Sequence, residues 1–162
     1  MKKLLLVAIL LMVVSAASFA QATQTANITA NVNATLTLAK LTDLAALTAN
    51  QGQTVFFASN TAQAASFLLT GAALASTTVG VAFPATLSDV ALNTMTFTGQ
   101  IPRTNVVAGA ATSTALAAIT GGTATTSAGG QLWIYAGGGV TAAAAQPAGQ
   151  YTGVITVTVS QP

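Results

Sequence analysis

The stretch that decides the fold is TANITANVNATLTL, residues 25–38. Apolar and polar side chains alternate strictly along it, with Ala, Ile, Val and Leu at even positions and Thr and Asn at odd ones. A period of two places every apolar side chain on one face of an extended strand. Strands in globular domains typically run about five or six residues, so this one is long enough to suggest a second role for its N-terminal half.

The rest of the chain also favours strands. Residues 151–160 alternate again and are rich in β-branched side chains. Glycine-rich turns, including the run Gly137–Gly139, separate shorter strand candidates. These candidates are Thr54–Ala58, Ser66–Thr70, Thr78–Phe83, Thr94–Gly99 and Leu132–Ala136. We predict an all-β fold, an antiparallel immunoglobulin-like or pilin-like β-sandwich of about seven to eight strands.

The N-terminus has the features of a secretory signal peptide. Two lysines precede the apolar run Leu4–Val14, and small residues lead to Ala20. The run is shorter than the ~20 residues that cross a bilayer as a helix. We therefore predict cleavage near Ala20-Gln21 and a mature form that is secreted or held at the cell surface, with no integral membrane span.

The remaining chain, residues 21–162, has a suitable length for a single domain. Its first segment, residues 21–38, is the long alternating strand. Residues 108–128 are a low-complexity mixture of Ala, Thr, Ser and Gly, which predicts a long surface loop.

Ionisable chemistry is almost absent from the chain. It contains no His and no Cys, and Asp43 and Asp89 are its only carboxylate side chains. Beyond residue 20 the charges are those two residues with Lys40 and Arg103, so they sum to zero. General acid–base catalysis, metal binding and phosphate recognition depend on the missing residue types. We predict no enzyme activity, no cofactor, no metal site and no nucleic-acid partner. The two aspartates are expected to cap turns, and Lys40 to pair with Asp43 at the surface.

Two aromatic residues, Trp133 and Tyr135, share one parity of the strand candidate Leu132–Ala136. On an exposed face they would form a platform on which sugar rings stack. On a buried face they would be a core aromatic pair. Their sequence context leaves both interpretations open.

Several blocks of the chain resemble a family of secreted bacterial domains whose function is unknown. The most specific block is the G-x-Y-x-G pattern Gly149–Gly153 before the last alternating strand. The blocks that carry the resemblance are residues 66–71, 81–84, 95–98, 130–138 and 146–159. The resemblance implies a small β-sandwich related to fimbrial and spore-coat-type proteins, a role in surface or matrix structure, and no catalytic residue. Unlike many members, which end on an aromatic residue, this chain ends Ser160-Gln161-Pro162.

The long first strand leads to the main functional hypothesis. The N-terminal segment of one copy could add as a strand to the sheet of a neighbour, with Ala26, Ile28, Ala30 and Val32 as the inserted face. The chain would then be a structural subunit of an extracellular filament, fimbria or biofilm matrix, and its partners would be copies of itself. The alternative is a secreted carbohydrate-binding or adhesion module that holds a surface polysaccharide through Trp133 and Tyr135.

Overall fold

Residues 35–162 form twelve β-strands in the computed structural model, which describes this part of the chain. The strands are β1 (Thr37–Thr42), β2 (Thr54–Phe57), β3 (Ala65–Thr70), β4 (Ser76–Ala82), β5 (Thr86–Ser88), β6 (Thr94–Gly99), β7 (Arg103–Asn105), β8 (Thr114–Ala115), β9 (Gly121–Thr125), β10 (Gln131–Ala136), β11 (Gly138–Thr141) and β12 (Thr156–Ser160). This part of the chain holds no helix that is long and apolar enough to cross a membrane.

The strands pair antiparallel and make three sheets. The first sheet has the order β1-β3-β10-β7-β8, the second β2-β11-β6-β5, and the third β12-β4-β9. The prediction of an all-β, antiparallel fold is confirmed.

The hydrophobic core lies between the first and third sheets. Leu69 of β3 and Ile134 of β10 are fully buried, and they pack in one cluster with Val79 and Val81 of β4. Burying one such side chain stabilises the fold by about 1.5–3 kcal/mol. On β4 and β12 the apolar residues face this cluster and the intervening Thr, Ser and Ala residues face outward. The period of two in the sequence is therefore the inside–outside alternation of the sheets.

The loop between β3 and β4 is held to the segment after β9 by a buried hydroxyl. Thr126 is 1% exposed; its Oγ1 donates a hydrogen bond to the carbonyl of Ala72 (2.6 Å) and accepts one from the amide of Ala75 (2.9 Å). Nearby, Gly130 has a φ of 74°, and a Cβ there would collide with the carbonyl oxygen of Gly71. Only glycine combines a positive φ with the absence of a Cβ, so position 130 requires it.

The glycine run 137–139 is not the flexible turn that we predicted. Gly138 and Gly139 belong to β11, which follows β10 almost directly and connects the first sheet to the second. A Cβ on Gly138 would collide with the ring of Phe97, and one on Gly139 with the ring of Phe56. The glycines are therefore positions where aromatic rings lie against the backbone of a strand.

The predicted number of strands was too low. The sequence pattern missed the short strands β5, β7 and β8, as well as β9 and β11. Residues 108–128 are also not one continuous loop, because β8 and β9 lie within them and Leu116 is only 6% exposed. Strand β9 pairs along its whole length with β4. These pairings are made by backbone groups, which a composition of small residues does not reveal.

Both ends of the chain differ from the predicted strands. At the C-terminus, β12 begins only at Thr156, while Thr152 forms a separate bridge to Ser88. At the N-terminus, β1 begins at Thr37 and extends to Thr42, past the predicted end at Leu38. Residues 25–34 of the predicted strand, and the predicted cleavage site, lie outside the described residues.

Candidate functional site

A large groove opens at the inner face of the second sheet. Its volume is about 1060 Å³, which exceeds that of a typical pocket for a drug-sized ligand. One wall is residues 43–51 and the other is residues 146–153; the remaining lining residues are Pro84, Leu87, Met95, Phe97, Val140, Ala142 and Ile155.

The floor of the groove is apolar. Val140 is 1% exposed and Phe97 is 6% exposed, while Met95 and Leu87 are half-buried and present their side chains to the opening. The one ionisable carboxylate among the lining residues is Asp43, which forms an exposed ion pair with Lys40 (Nζ to Oδ1, 2.7 Å). Such a floor can hold apolar side chains.

The first wall is a segment without regular secondary structure that is hydrogen-bonded at both ends. It leaves β1, and at its start the amide of Ala45 donates to the carbonyl of Gln63 (2.9 Å). At its far end the amide of Gly52 donates to the carbonyl of Ala142 (3.0 Å). Between these two hydrogen bonds, residues 46–49 make no backbone hydrogen bond to another residue of 35–162.

The second wall is built by a hydrogen-bonded loop. The Tyr151 hydroxyl donates to the carbonyl of Pro147 (2.8 Å) and accepts from Nε2 of Gln146 (2.7 Å). Nε2 of Gln146 also donates to the carbonyl of Thr94 on β6 (3.1 Å), and Gln51 of the first wall donates to the carbonyl of Gln146 (2.8 Å). These contacts hold the loop over the end of the second sheet.

The chain that follows this loop forms a bridge and then a short stretch without described backbone bonds. Thr152 exchanges two backbone hydrogen bonds with Ser88, both of 2.9 Å. Residues 153–155 then form no backbone hydrogen bond with the described part of the chain, until β12 begins at Thr156. Within residues 35–162, the groove therefore has an apolar floor and, on each side, a stretch whose backbone is not bonded to another described residue.

The predicted assembly residues Ala26, Ile28, Ala30 and Val32 lie outside the described residues.

The two aromatic residues of the glycan hypothesis do not form an exposed pair. They lie on the face of β10 opposite to the core residues Leu132 and Ile134. Tyr135 is nevertheless only 5% exposed, and its hydroxyl accepts a hydrogen bond from the amide of Gly109 (2.7 Å). Trp133 is half-buried. Tyr135 is therefore closed to a sugar ring, and of the two only Trp133 keeps an accessible surface.

The two aspartates make different contacts. Asp89 caps the turn between β5 and β6: its Oδ1 accepts hydrogen bonds from the amides of Ala91 (2.9 Å) and Asn93 (2.8 Å). The side chain of Asn93 also donates to Oδ2 (2.8 Å), and this bond is the largest cause that lowers the pKa of Asp89. The predicted turn cap is confirmed here, and so is the ion pair between Lys40 and Asp43.

Arg103 is not the solvated loop charge that its sequence context suggests. It lies on β7, is half-buried, and its guanidinium donates to Oγ of Ser113 (3.0 Å) and to the carbonyl of the same residue. Across residues 35–162, no three side chains of His, Cys, Asp or Glu come together as a metal site would require.

The groove itself was missed at the level of sequence. Its two walls are separated by about one hundred residues along the chain, and only the fold brings them together. Two weak signals pointed to the groove. Leu44 and Leu47 are apolar residues in a wall without regular secondary structure, and the last strand begins later than its alternation predicts.

Comparison with protein-family models and with curated proteins finds no match for this chain. The family resemblance of its sequence blocks therefore stays a prediction. The case for a function depends on the residues of the chain and on the geometry of the groove.

Proposed function

We propose that this chain is an exported structural subunit of an extracellular filament, fimbria or biofilm matrix, which acts by self-assembly and not as an enzyme. Its domain would then be a pilin-like, immunoglobulin-like sandwich whose sheet is completed by another copy. The observation that carries the proposal is the groove. Its apolar floor lies between two segments, residues 46–49 and 153–155, whose backbone forms no hydrogen bond to another residue of 35–162.

The electrostatics of the chain support the same proposal. Beyond residue 20 four charged side chains sum to zero, and two of them, Lys40 and Asp43, neutralise each other. A lone soluble domain with so little charge tends to associate. In a polymer whose subunits cover one another, the same surface produces no repulsion between neighbours.

The test uses the mature chain from Gln21 and a matched pair of single substitutions. Ile28→Asp places a carboxylate in the apolar register of the N-terminal segment, whereas Asn27→Asp places one at the adjacent position of opposite parity. A carboxylate that must enter an apolar groove loses its hydration, which is costly. We expect wild type and Asn27→Asp to form filaments in negative-stain electron microscopy, and Ile28→Asp to form none. Equal filament formation by all three chains would contradict the proposal.

A carbohydrate-binding or adhesion module is the second candidate, and the partly accessible Trp133 is what favours it. It predicts that Trp133→Ala abolishes retention on a polysaccharide column while the circular dichroism spectrum stays unchanged. Equal retention of both proteins would exclude a binding role for Trp133.

A further inference from the structure

We infer that Trp133 and Arg103 together bind an acidic sugar, whose ring stacks on the indole and whose carboxylate pairs with the guanidinium. This inference rests on the carbohydrate-binding role, which is the second candidate function, and deepens it because it names the ligand class and a second binding residue. It follows from the register of the first sheet and from the charges of the whole chain.

The two residues lie on one face of the first sheet. Strands β10 and β7 pair antiparallel, with Trp133 opposite Asn105 and Tyr135 opposite Arg103. Residues that are directly opposite share a face of the sheet, and this face points away from the core, into which Ile134 projects. Arg103 is therefore the diagonal neighbour of Trp133. Diagonal neighbours are about 7–8 Å apart, a separation that aromatic and long side chains span.

Three side chains on this face keep an accessible surface. Trp133 and Arg103 are both half-buried, and so is Gln131, which lies two residues before Trp133 on the same strand. Tyr135 contributes no such surface, because it is 5% exposed. The accessible part of the face is therefore an aromatic ring with a cation on one side and an amide group along the strand.

The positive charge of Arg103 has no carboxylate side chain as its partner. All 162 residues of the chain include only two such side chains, Asp43 and Asp89. Asp43 is paired with Lys40, and Asp89 accepts its hydrogen bonds within the turn between β5 and β6. Arg103 donates instead to Ser113, from Nε to Oγ (3.0 Å) and from Nη2 to the carbonyl. These neutral acceptors orient the guanidinium and leave its charge uncompensated.

A guanidinium that is oriented in this way suits a carboxylate. It has five N–H donors and binds both oxygens of a carboxylate at once. Two of the five donors are used by Ser113, so the others can meet a ligand. Because Arg103 is half-buried, its pair with a ligand carboxylate is screened less by water and salt than a fully exposed pair.

A uronic acid residue combines the two groups that this face can bind. Its ring has an apolar face of C–H groups, which packs against the flat indole, and its carboxylate is bonded directly to that ring. A ring stacked on Trp133 therefore brings the carboxylate within reach of the Arg103 side chain. The ring hydroxyls can then bind the amide of Gln131.

Single-stranded nucleic acid also combines a flat ring with an anion, but the charges of the chain disfavour it. Binding along a phosphate backbone depends on several cations that follow the strand. Beyond residue 20 the chain has only two cations, Lys40 and Arg103, and the first of them is already in an ion pair. One uncompensated cation beside one aromatic ring matches a single acidic sugar better.

Trp133 is the only tryptophan of the chain, so intrinsic fluorescence reports on this site alone. The mature chain from Gln21 is titrated with trigalacturonate and, in parallel, with its fully methyl-esterified form, which keeps the sugar and removes the charge. We expect a saturable fluorescence change with trigalacturonate and a Kd at least about tenfold higher for the methyl ester. Sodium chloride at about 1 M, where the screening length is about 3 Å, should weaken binding of the acid alone.

A matched pair of variants then assigns the charge to its residue. Arg103→Gln and Lys40→Gln change the net charge of the chain equally, but only the first removes the proposed partner of the carboxylate. We expect the Kd for trigalacturonate to rise about tenfold in Arg103→Gln and by less than about twofold in Lys40→Gln. Arg103→Lys should recover part of the affinity, because it keeps the charge. Circular dichroism verifies the fold of each variant, and the comparison of acid with ester on the unmodified chain needs no variant.

The outcomes separate this inference from the carbohydrate-binding role itself. Equal affinity for the acid and the ester, or an equal loss in Arg103→Gln and Lys40→Gln, would overturn the acidic ligand and leave the carbohydrate-binding role standing. No fluorescence change with either sugar, together with no retention on a polysaccharide column, would overturn both. Binding of oligothymidylate as tight as that of trigalacturonate would overturn the sugar as the ligand.

Discussion

Tyr151→Phe tests whether the second wall of the groove matters for assembly. The substitution keeps the aromatic ring and removes only the hydroxyl, so no cavity forms in the wall. It deletes two hydrogen bonds, one to the carbonyl of Pro147 (2.8 Å) and one from Nε2 of Gln146 (2.7 Å). Gln146 keeps its bond to the carbonyl of Thr94, and Pro147 is exposed, so water can replace what is lost. Two bonds at about 0.5–1.5 kcal/mol each would give about 1–3 kcal/mol, and because water replaces part of the loss we expect the wall to lose about 1–2 kcal/mol of stability.

The matched control is Tyr135→Phe, which removes the same atom elsewhere in the molecule. The Tyr135 hydroxyl accepts one hydrogen bond, from the amide of Gly109 (2.7 Å), and Tyr135 does not line the groove. We expect a loss of about 0.5–1.5 kcal/mol from the free energy of unfolding. The two variants therefore have comparable effects on stability but differ in their distance from the groove.

The assay is the critical concentration for filament formation, measured by sedimentation, together with hydrogen exchange of residues 146–153. In Tyr151→Phe the loosened wall has to become ordered when filaments form, and the cost of that ordering raises the critical concentration. A cost of about 1–2 kcal/mol corresponds to a rise of up to about 5- to 30-fold. Exchange in the wall should accelerate in this variant alone. An unchanged critical concentration, or an equal rise in Tyr135→Phe, would refute the argument that the wall shapes the groove where a second copy is proposed to bind.

Three further predictions concern the fold. Thr126→Val keeps the side-chain volume but leaves the carbonyl of Ala72 and the amide of Ala75 without their hydrogen-bond partner. Urea denaturation should show that the free energy of unfolding falls by about 2–3 kcal/mol. The control Thr125→Val, at an exposed position, should lower it by about 0.5 kcal/mol or less. Gly130→Ala puts a Cβ on a residue with a left-handed backbone, against the carbonyl of Gly71, and should lower the free energy of unfolding by more than about 1–2 kcal/mol. Gly129→Ala is the control and should cost less, because a Cβ there makes only an ordinary contact with Oγ of Ser127 (3.7 Å). The pKa of Asp89 is lowered in the folded state, so the unfolded state binds a proton at this carboxylate more readily. The ionised Asp89 therefore stabilises the fold above pH 3.8, the ordinary pKa, and this stabilisation is lost as the pH falls below that value. The melting temperature should therefore be flat from about pH 8 to 5 and fall in stronger acid, and Asp89→Asn should weaken that fall; a marked change between pH 5 and 7 would contradict this.

The sequence predicted the strands that alternate between an apolar and a polar face. Strand β6 was predicted with both its ends, Thr94 and Gly99, and β2, β3, β4 and β10 were predicted within two residues. These elements bury one face against neighbours, so their period appears in the residue types. Strands such as β9 and β11 consist largely of Gly, Ala and Thr, and their place in a sheet is decided by backbone pairing with β4 or β6.

The sequence by itself determined what this chain lacks and what its fold class is. The chain has no His and no Cys and contains two aspartates, and its period of two favours strands over an amphipathic helix. Only the tertiary structure decided that Tyr135 is covered, and that two wall segments far apart in the sequence, residues 43–51 and 146–153, line one groove. The physical reason is that burial and hydrogen-bond partners depend on which distant segments meet, whereas alternation and charge are carried by each segment alone.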